Sequence, residues 1–453
     1  MTHVEHRLAG WGNYPVERGW VSRPHRLETL RSVVCDGRQP DYISRGLGRS
    51  YGDSSLNGDR GVIVQTGRNC FLALDPQSGV LEGEAGLSFA EIIEHLLPRG
   101  WFLPTTPGTR FVTLGGAIAA DVHGKNHHHN GSFGESVLGL ELMIASGEVI
   151  HCSPTENSDV FWATVGGMGL TGVILSAQIQ LMPVETSYVD VDYQRTRNLD
   201  ETLERFSQTD ADYQYSVAWI DCLSRGKSLG RSVIMLGNNA TCAQLSARQR
   251  QAPLQVPAPR PRTIPFHLPK IMLNPWSVQA FNSFYYETHR DGNQLVDYYK
   301  FFYPLDSLLH WNRIYGRRGV IQYQALFPRE TSRRGLIQLM EKIASSRLPS
   351  FLAVLKSSGL AGQGVLSYMY PGHTLALDFP VTSGLRPFLR ELDQLLLEHG
   401  GRLYLAKDAT MSAKTFAAMY PRLGEFKQIK SRIDPENRFV SSQARRLGIV
   451  ESS

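Results

Sequence analysis

Arg45-Gly-Leu-Gly-Arg-Ser-Tyr-Gly-Asp53 and Pro107-Gly-Thr-Arg110, the latter continuing into Thr113-Leu-Gly-Gly-Ala-Ile-Ala-Ala-Asp-Val-His-Gly124, decide how this chain folds. The first stretch follows the strand-like Tyr42-Ile43-Ser44, and its early glycines stand one residue apart. Consecutive backbone N–H groups in such a turn form an anion-binding nest, to which Ser50 adds a hydroxyl donor. In the second, small side chains let the backbone approach a flat or phosphorylated ligand closely. Either loop alone reads as an ordinary turn; together, in this order, they read as a phosphate cradle. A third segment, Gly167-Met-Gly-Leu-Thr-Gly172, matches the dinucleotide fingerprint by letter, with Asp190 and Asp192 further on. That fingerprint must follow a strand and open a helix. Here helix-like Asp159–Thr164 precedes it, and the alternation of Val173, Leu175, Ala177, Ile179 and Leu181 makes it open a strand. An NAD-type site is therefore not expected there.

At 453 residues the chain exceeds what one core fills, so two or three domains are expected. A net charge of +5 is a small excess over 47 basic and 42 acidic residues. It suits a phosphorylated substrate or an anionic lipid surface better than nucleic acid, which calls for a dense basic stripe. Cys35, Cys70, Cys152, Cys222 and Cys242 are scattered and form no Cys-x-x-Cys pair. This argues against a disulfide framework and for a reducing compartment. The N-terminus lacks a secretory apolar core, and no run approaches the ~18–20 apolar residues of a membrane span. A cytoplasmic protein is expected.

Ser88-Phe-Ala-Glu91 is a capping-box signature, with Ile92, Ile93, Leu96 and Leu97 behind it at helical spacing. Ala252–Pro269, rich in proline and arginine and without periodicity, reads as an exposed, mobile loop. Trp276, Phe281, Phe284, Tyr285 and Tyr286 suit either core packing or a membrane interface, with core packing preferred. Ile321, Tyr323, Ala325 and Phe327 alternate with Gln322 and Gln324, so a strand sets both glutamines on one face. Leu385, Phe388, Leu389, Leu392, Leu395 and Leu396 mark an amphipathic helix that stops at Gly400-Gly401. Strands followed by helices, without strict alternation, predict an α+β second domain with an antiparallel sheet.

The loops resemble the FAD-binding domain of the vanillyl-alcohol-oxidase family of flavoproteins. The resemblance extends over His123–His128, Gly131–Gly134, Phe161–Gly172, Trp311–Arg313, Gln322–Gln324, Asp378–Pro380, Gly401–Asp408 and Met419–Arg422, nearly the whole chain. It implies a two-domain α+β fold: an FAD-binding domain over 1–183, a substrate domain over 184–401, and a return to the first domain over 402–453. It implies cofactor contacts from Arg45, Gly46, Leu47, Gly48, Arg49, Ser50, Tyr51, Pro107, Gly108, Thr109, Thr113, Gly115, Gly116, Ala119, Ala120, Val122, Asn126, His127, Gly169, Gly172, Ile174 and Tyr404. Many relatives attach the flavin to a histidine in the first loop; Arg49 stands in that position and cannot form the bond, so non-covalent FAD is expected.

Flavin oxidation of a secondary alcohol needs a hydride acceptor and a group that takes the hydroxyl proton. The resemblance places His123, Lys125 and Lys407 there as catalytic candidates, with the base undecided between Lys407 and His123; Lys407 is expected to project from a strand end. Tyr51, Trp219, Gln322, Gln324, Lys356, Thr374 and Ala376 are implied substrate contacts, although Tyr51 and Trp219 suit a core equally and the glutamines suit a solvated strand surface. Ala376 replaces a cysteine of relatives, Thr374 an asparagine and Val217 a serine, so the pocket rim differs. The implied reaction converts the ribose 2′-hydroxyl of a polyprenyl-phosphoryl-β-D-ribose to a ketone. An NAD(P)H-dependent short-chain ketoreductase completes the epimerisation to arabinose, and peripheral membrane contact follows from the lipid. A sugar or aldonolactone oxidase and a basic adaptor using Pro257–Lys270 are the competing readings. His127-His128-His129 invites a metal, but strand neighbours point to opposite faces and no acidic or cysteine partner stands at ligand spacing.

Overall fold

The computed structural model describes residues 3–255, 261–269, 274–346, 348, 350 and 352–450. Short apolar runs separated by glycine turns build two sheets in the first part of the chain. A four-stranded sheet runs in the order Val4–Ala9, Val16–Ser22, Gly61–Val64, Tyr42–Arg45, and its last two pairings are parallel. A five-stranded antiparallel sheet follows in the order Phe71–Leu74, Val80–Glu84, Val173–Gln180, Val137–Met143, Val149–Cys152. The helix Phe89–Leu96 starts at the expected capping box and buries Phe89, Ile92, Ile93 and Leu96 beside these strands. A second, short helix, Leu114–Ala119, begins where the Thr113 hydroxyl accepts from the Gly116 N–H. Its first glycine is required by packing, since a Cβ on Gly115 lies 2.8 Å from that of Ala85.

The second part is one antiparallel sheet of eight strands, with the helices Leu199–Thr209, Arg329–Ser345 and Leu385–Glu398 on one face. Its order is Gly292–Asp297, Tyr188–Thr196, Ser232–Asn239, Tyr215–Ile220, Ala353–Ser358, Gly372–Pro380, Val320–Pro328, Arg402–Leu403. The last strand lies just beyond residue 401, where the sequence ends the second unit. Register sorts the side chains, because directly paired residues share a face. Gln322 pairs with Asp378, Gln324 with Ala376, and Thr374 with Lys356; Ala376 also faces Val354, which faces Trp219. The opposite face carries Tyr323, Phe327, Leu375 and Leu377, all buried. There the helix Leu385–Glu398 supplies Asp393, which accepts from the Tyr323 hydroxyl at 3.1 Å.

The chain then returns to its beginning. Helix Leu423–Ile433 packs against Ser158–Thr164, and helix Ser442–Arg446 lies beside the first sheet, where Phe439 forms a parallel bridge with Tyr42. The buried Lys430 ammonium donates to Asp434 at 2.5 Å and to the carbonyls of Leu170 and Phe439. Arg446 makes the closest tie: it donates bidentately to Asp53 at 2.6 and 2.8 Å and to Asp408 at 2.9 Å. Beside it the Tyr51 N–H donates to the Ala406 carbonyl at 3.0 Å. Gly52 must be glycine, since a Cβ there falls 1.8 Å from the Asp408 carbonyl oxygen.

Four expectations change. Trp276 and Phe284 are 82% and 68% exposed on the helix Pro275–Thr288, so these aromatics are not core. That helix spends its inward positions on Val278, Asn282 and Tyr285, leaving the rest to solvent. His127–Asn130, expected as a loop beside the cofactor, is a helical turn, so the strand geometry weighed against a metal there does not apply. Lys407 sits in a turn past Arg402–Leu403, because Tyr404 leaves the strand and its carbonyl accepts from the Lys407 N–H. Within Ala252–Pro269 the described part is anchored, Arg262–Thr263 pairing in parallel with Leu308–Leu309; residues 256–260 and 270 of the expected loop and basic segment lie outside the described residues.

Removing the Arg446 charge leaves two enclosed carboxylates facing each other. Arg446→Met is expected to cost about 3–5 kcal/mol, the range for breaking a buried pair on one side, read as a lowered denaturant midpoint at unchanged slope.

Candidate functional site

The site forms where the glycine loops meet the polar face of the large sheet. Arg45 braces its own loop, donating to the Ala9 carbonyl at 2.6 Å and to Ser55, and a Cβ on Gly48, at φ +67°, runs into that guanidinium. A Cβ on Gly46 meets the Thr113 hydroxyl at 2.2 Å, so the two loops touch there. Leu47 is exposed, and the Ser50 carbonyl accepts from the Trp11 N–H. Arg49 stacks on Trp11 at 4.1 Å and near Phe111 at 5.0 Å. Around Pro107, a Cβ on Gly108 enters open space. Thr109 and the Arg110 N–H both donate to buried Asp306, at 2.7 and 2.9 Å.

The carbonyl end of the short helix is satisfied from two sides. Ala119 accepts from Met168 in the Gly167–Gly172 loop, and Ala120 accepts from the Tyr404 hydroxyl at 2.7 Å. Gly169, at φ +79°, rests beside Ile43, Gly172 lies against the Met143 carbonyl, and Ile174 and Val122 are buried. The third glycine segment thus opens a strand, as its neighbours dictate. Asn126 donates to the Pro104 carbonyl at 2.6 Å, and the Gly359 N–H donates to His127 Nδ1.

His123 is the hub. The Gln324 amide nitrogen lies 2.8 Å from His123 Nε2 and 3.2 Å from the Thr374 hydroxyl, which also bonds Tyr368 at 2.7 Å. Tyr404 stacks on Tyr368 at 4.8 Å and meets the His123 ring at 5.1 Å. Burial, with Lys356, His127 and Lys407 adding like charge, holds the imidazole well below its ordinary pKa. His123 is therefore neutral, and with Nε2 accepting from Gln324 its proton is on Nδ1. That Nδ1, His127 Nε2 and the hydroxyls of Ser44, Thr105 and Ser132 are buried without partners.

Lys407 lies over the Tyr51 ring at 4.2 Å. Burial lowers its pKa to about 8, partly opposed by Asp378 and aided by Lys356. Asp378 accepts from Gln322 at 2.7 Å and from Tyr315 at 2.9 Å, and burial raises its carboxyl to about 6. Lys356 falls to about 8 by burial. Lys125 falls to about 7, its ammonium donating to the Phe301 carbonyl and lying 4.0 Å over that ring. It thus points at the Phe301 segment, away from the His123 hub. Val354, Lys356 and Ala376 stay partly open on the polar face, whereas Trp219 beyond them is buried against Tyr285 at 4.6 Å.

Asp378, Tyr315, Tyr368 and Asp306 were not singled out from sequence. Asp378 had a signal, because Thr374, Ala376 and Asp378 alternate along one strand face; Asp306 and Tyr368 join the site only through long-range packing.

Fold and site define a flavin-dependent oxidoreductase of the vanillyl-alcohol-oxidase type. An FAD-binding-domain family model matches residues 21–153, and a D-arabinono-1,4-lactone oxidase model matches residues 369–447. The chain is 40% identical over 452 residues, 98% of both chains, to decaprenylphosphoryl-β-D-ribose oxidase of Mycolicibacterium smegmatis. It is 29% identical to mouse L-gulonolactone oxidase over 40% of this chain and 42% of that one, and 29% identical to mouse Δ(24)-sterol reductase over 30% and 26%. The chain belongs to the FAD-dependent oxidoreductase family of decaprenylphosphoryl-β-D-ribose oxidase. Its residues fit the cofactor: buried donors without protein partners, and glycines where loops converge, are what a long polar ligand requires.

With Arg49 engaged on Trp11 and no histidine in the first loop, acid precipitation of the yellow protein is expected to release all flavin to the supernatant. Flavin retained in the pellet contradicts non-covalent binding.

Proposed function

We propose that this enzyme oxidises the ribose 2′-hydroxyl of a polyprenyl-phosphoryl-β-D-ribose to the 2′-ketone. Identity of 40% along 98% of both chains carries this reading. The polar sheet face supports it, since Lys356 adds like charge beside Lys407 and Asp378 is the carboxylate that offsets it, which suits a phosphorylated substrate. Bound FAD supplies the hydride acceptor. Lys407 takes the hydroxyl proton, because its amine is half free near pH 8 while His123 has its Nε2 lone pair committed to Gln324. His123 and Gln324 orient the sugar, Gln322 holds Asp378 beside Lys407, and Tyr51 excludes water beneath the ammonium. In this scheme 1–183 with 402–453 holds the cofactor and 184–401 the substrate.

The ketone is then reduced by an NAD(P)H-dependent short-chain ketoreductase to the arabinose epimer used in cell-wall polysaccharide. A lipid-borne substrate also calls for peripheral membrane contact, favoured by exposed Phe266. Among the described residues no helix is long and apolar enough to cross a membrane. The D-arabinono-1,4-lactone oxidase match over 369–447 favours a second reading, an aldonolactone oxidase with a soluble substrate. Product analysis with polyprenyl-phosphoryl-ribose, free pentoses and aldonolactones separates the two; turnover of the free compounds alone overturns the first.

Because the lysine pKa is lowered, the free amine grows as pH rises through about 8. Turnover is expected to climb between pH 7 and 9 and then level. Lys407→Met is expected to lose 10²–10⁴-fold in kcat, about what a general base contributes, with flavin content unchanged. A variant that keeps the wild-type pH profile rules out this base.

A further inference from the structure

An aromatic line leaves the site along the polar face of the sheet. Ala376 and Val354, both partly open, stand in the cross-strand row that runs on through Trp219 to Val233. The Trp219 ring packs on Tyr285 at 4.6 Å, and Tyr285 packs on Phe281 at 6.0 Å. Both belong to the helix Pro275–Thr288, where Phe281 and Tyr285 are four residues apart and so share a flank. Trp276 and Phe284 lie eight apart on the adjoining flank, with Ala280 between them, and are largely exposed. The helix has no charged residue before Glu287. Its seat is polar and built: Asn282 donates to Asp221 at 2.8 Å, and Arg231 joins Asp221 to Ser283. A helix seated in this way, yet presenting Trp276 and Phe284 to water, is expensive unless apolar matter covers those rings.

We infer that Tyr285 and Phe281, seated on buried Trp219 and continued by Phe284 and Trp276, are the track for the isoprenoid chain of the substrate. The inference rests on the lipid-linked sugar proposed above. Continuity with the site singles out this occupant: the sugar lies at the Gln324–Ala376 row, and its chain leaves along the same row. The absence of charge on the helix argues against an acidic or basic protein partner. The rings would contact hydrocarbon edge and face without hydrogen bonding, so the track selects for chain length and not for the head group.

The test uses the FAD-loaded enzyme in detergent-free buffer, with phosphoryl-riboses bearing a five-carbon or a fifteen-carbon prenyl chain. The wild type is expected to favour the longer chain at least tenfold in kcat/KM, through KM. The W276S/F281S/F284S variant is expected to lose most of that preference while the five-carbon substrate, too short to reach the helix, keeps its kcat/KM. A fifteen-carbon analogue with a terminal diazirine is expected to label 275–288, mapped by peptide mass spectrometry, which needs no variant. An unchanged preference in the variant, or labelling confined elsewhere, overturns the track and leaves the sugar assignment standing. A preference altered only when anionic vesicles are added assigns the rings to the membrane surface and also overturns it. Oxidation of neither substrate overturns the lipid-linked sugar itself.

Discussion

Everything at the site depends on one guanidinium. Arg446, the last residue of the helix Ser442–Arg446, is clamped between Asp53 of the first glycine loop and Asp408 of the return. Two carboxylates this enclosed repel each other and lose hydration; a planar cation with parallel donors answers both. The clamp sets Tyr51 against Ala406, and through that contact Lys407 comes to lie over the Tyr51 ring. Bonds between positions hundreds of residues apart therefore determine where the proposed base stands.

The large sheet supplies the second constraint. Its two faces were sorted by alternation: leucines, Tyr323 and Phe327 bury themselves under helices, which sends Gln322, Gln324, Thr374, Lys356 and Asp378 together to the opposite side. Burial lowers the proton affinity of His123, His127, Lys125, Lys356 and Lys407, and for all of them but Lys356 a neighbouring like charge lowers it further. The result is a neutral imidazole, a lysine that shares its proton near pH 8, and a surplus of donors. Such a pocket is adapted to an anionic ligand on a dry face.

Much of the fold was legible in the sequence because its signals are local. Ser88 with Glu91 foretold a helix start that both side chains close, and Gly167–Gly172 was read as opening a strand from its neighbours alone. The alternation at Gln322 and Gln324 correctly put both on one face, but not which face. Solvent and site look identical to a two-residue period. The aromatics from Trp276 to Tyr286 misled for a related reason: composition measures how much hydrocarbon a helix has, not whether the rest of the fold offers it a place to bury. His127–Asn130 turned into a helical turn because Asn126 side-chain bonds to Pro104 and Asn130 curl the segment.

The sequence by itself determined the two glycine-rich loops, the α+β character of the second sheet and its helices, and the presence of Arg49 in the first loop. These follow from backbone freedom, periodicity and the chemistry of single side chains. Only the tertiary structure decided that His123 accepts from Gln324, that Lys125 turns toward Phe301, and that Asp306 grips the Pro107–Arg110 loop. Each of those is a contact between distant segments, settled by which buried donors and acceptors find one another once the chain has closed on itself.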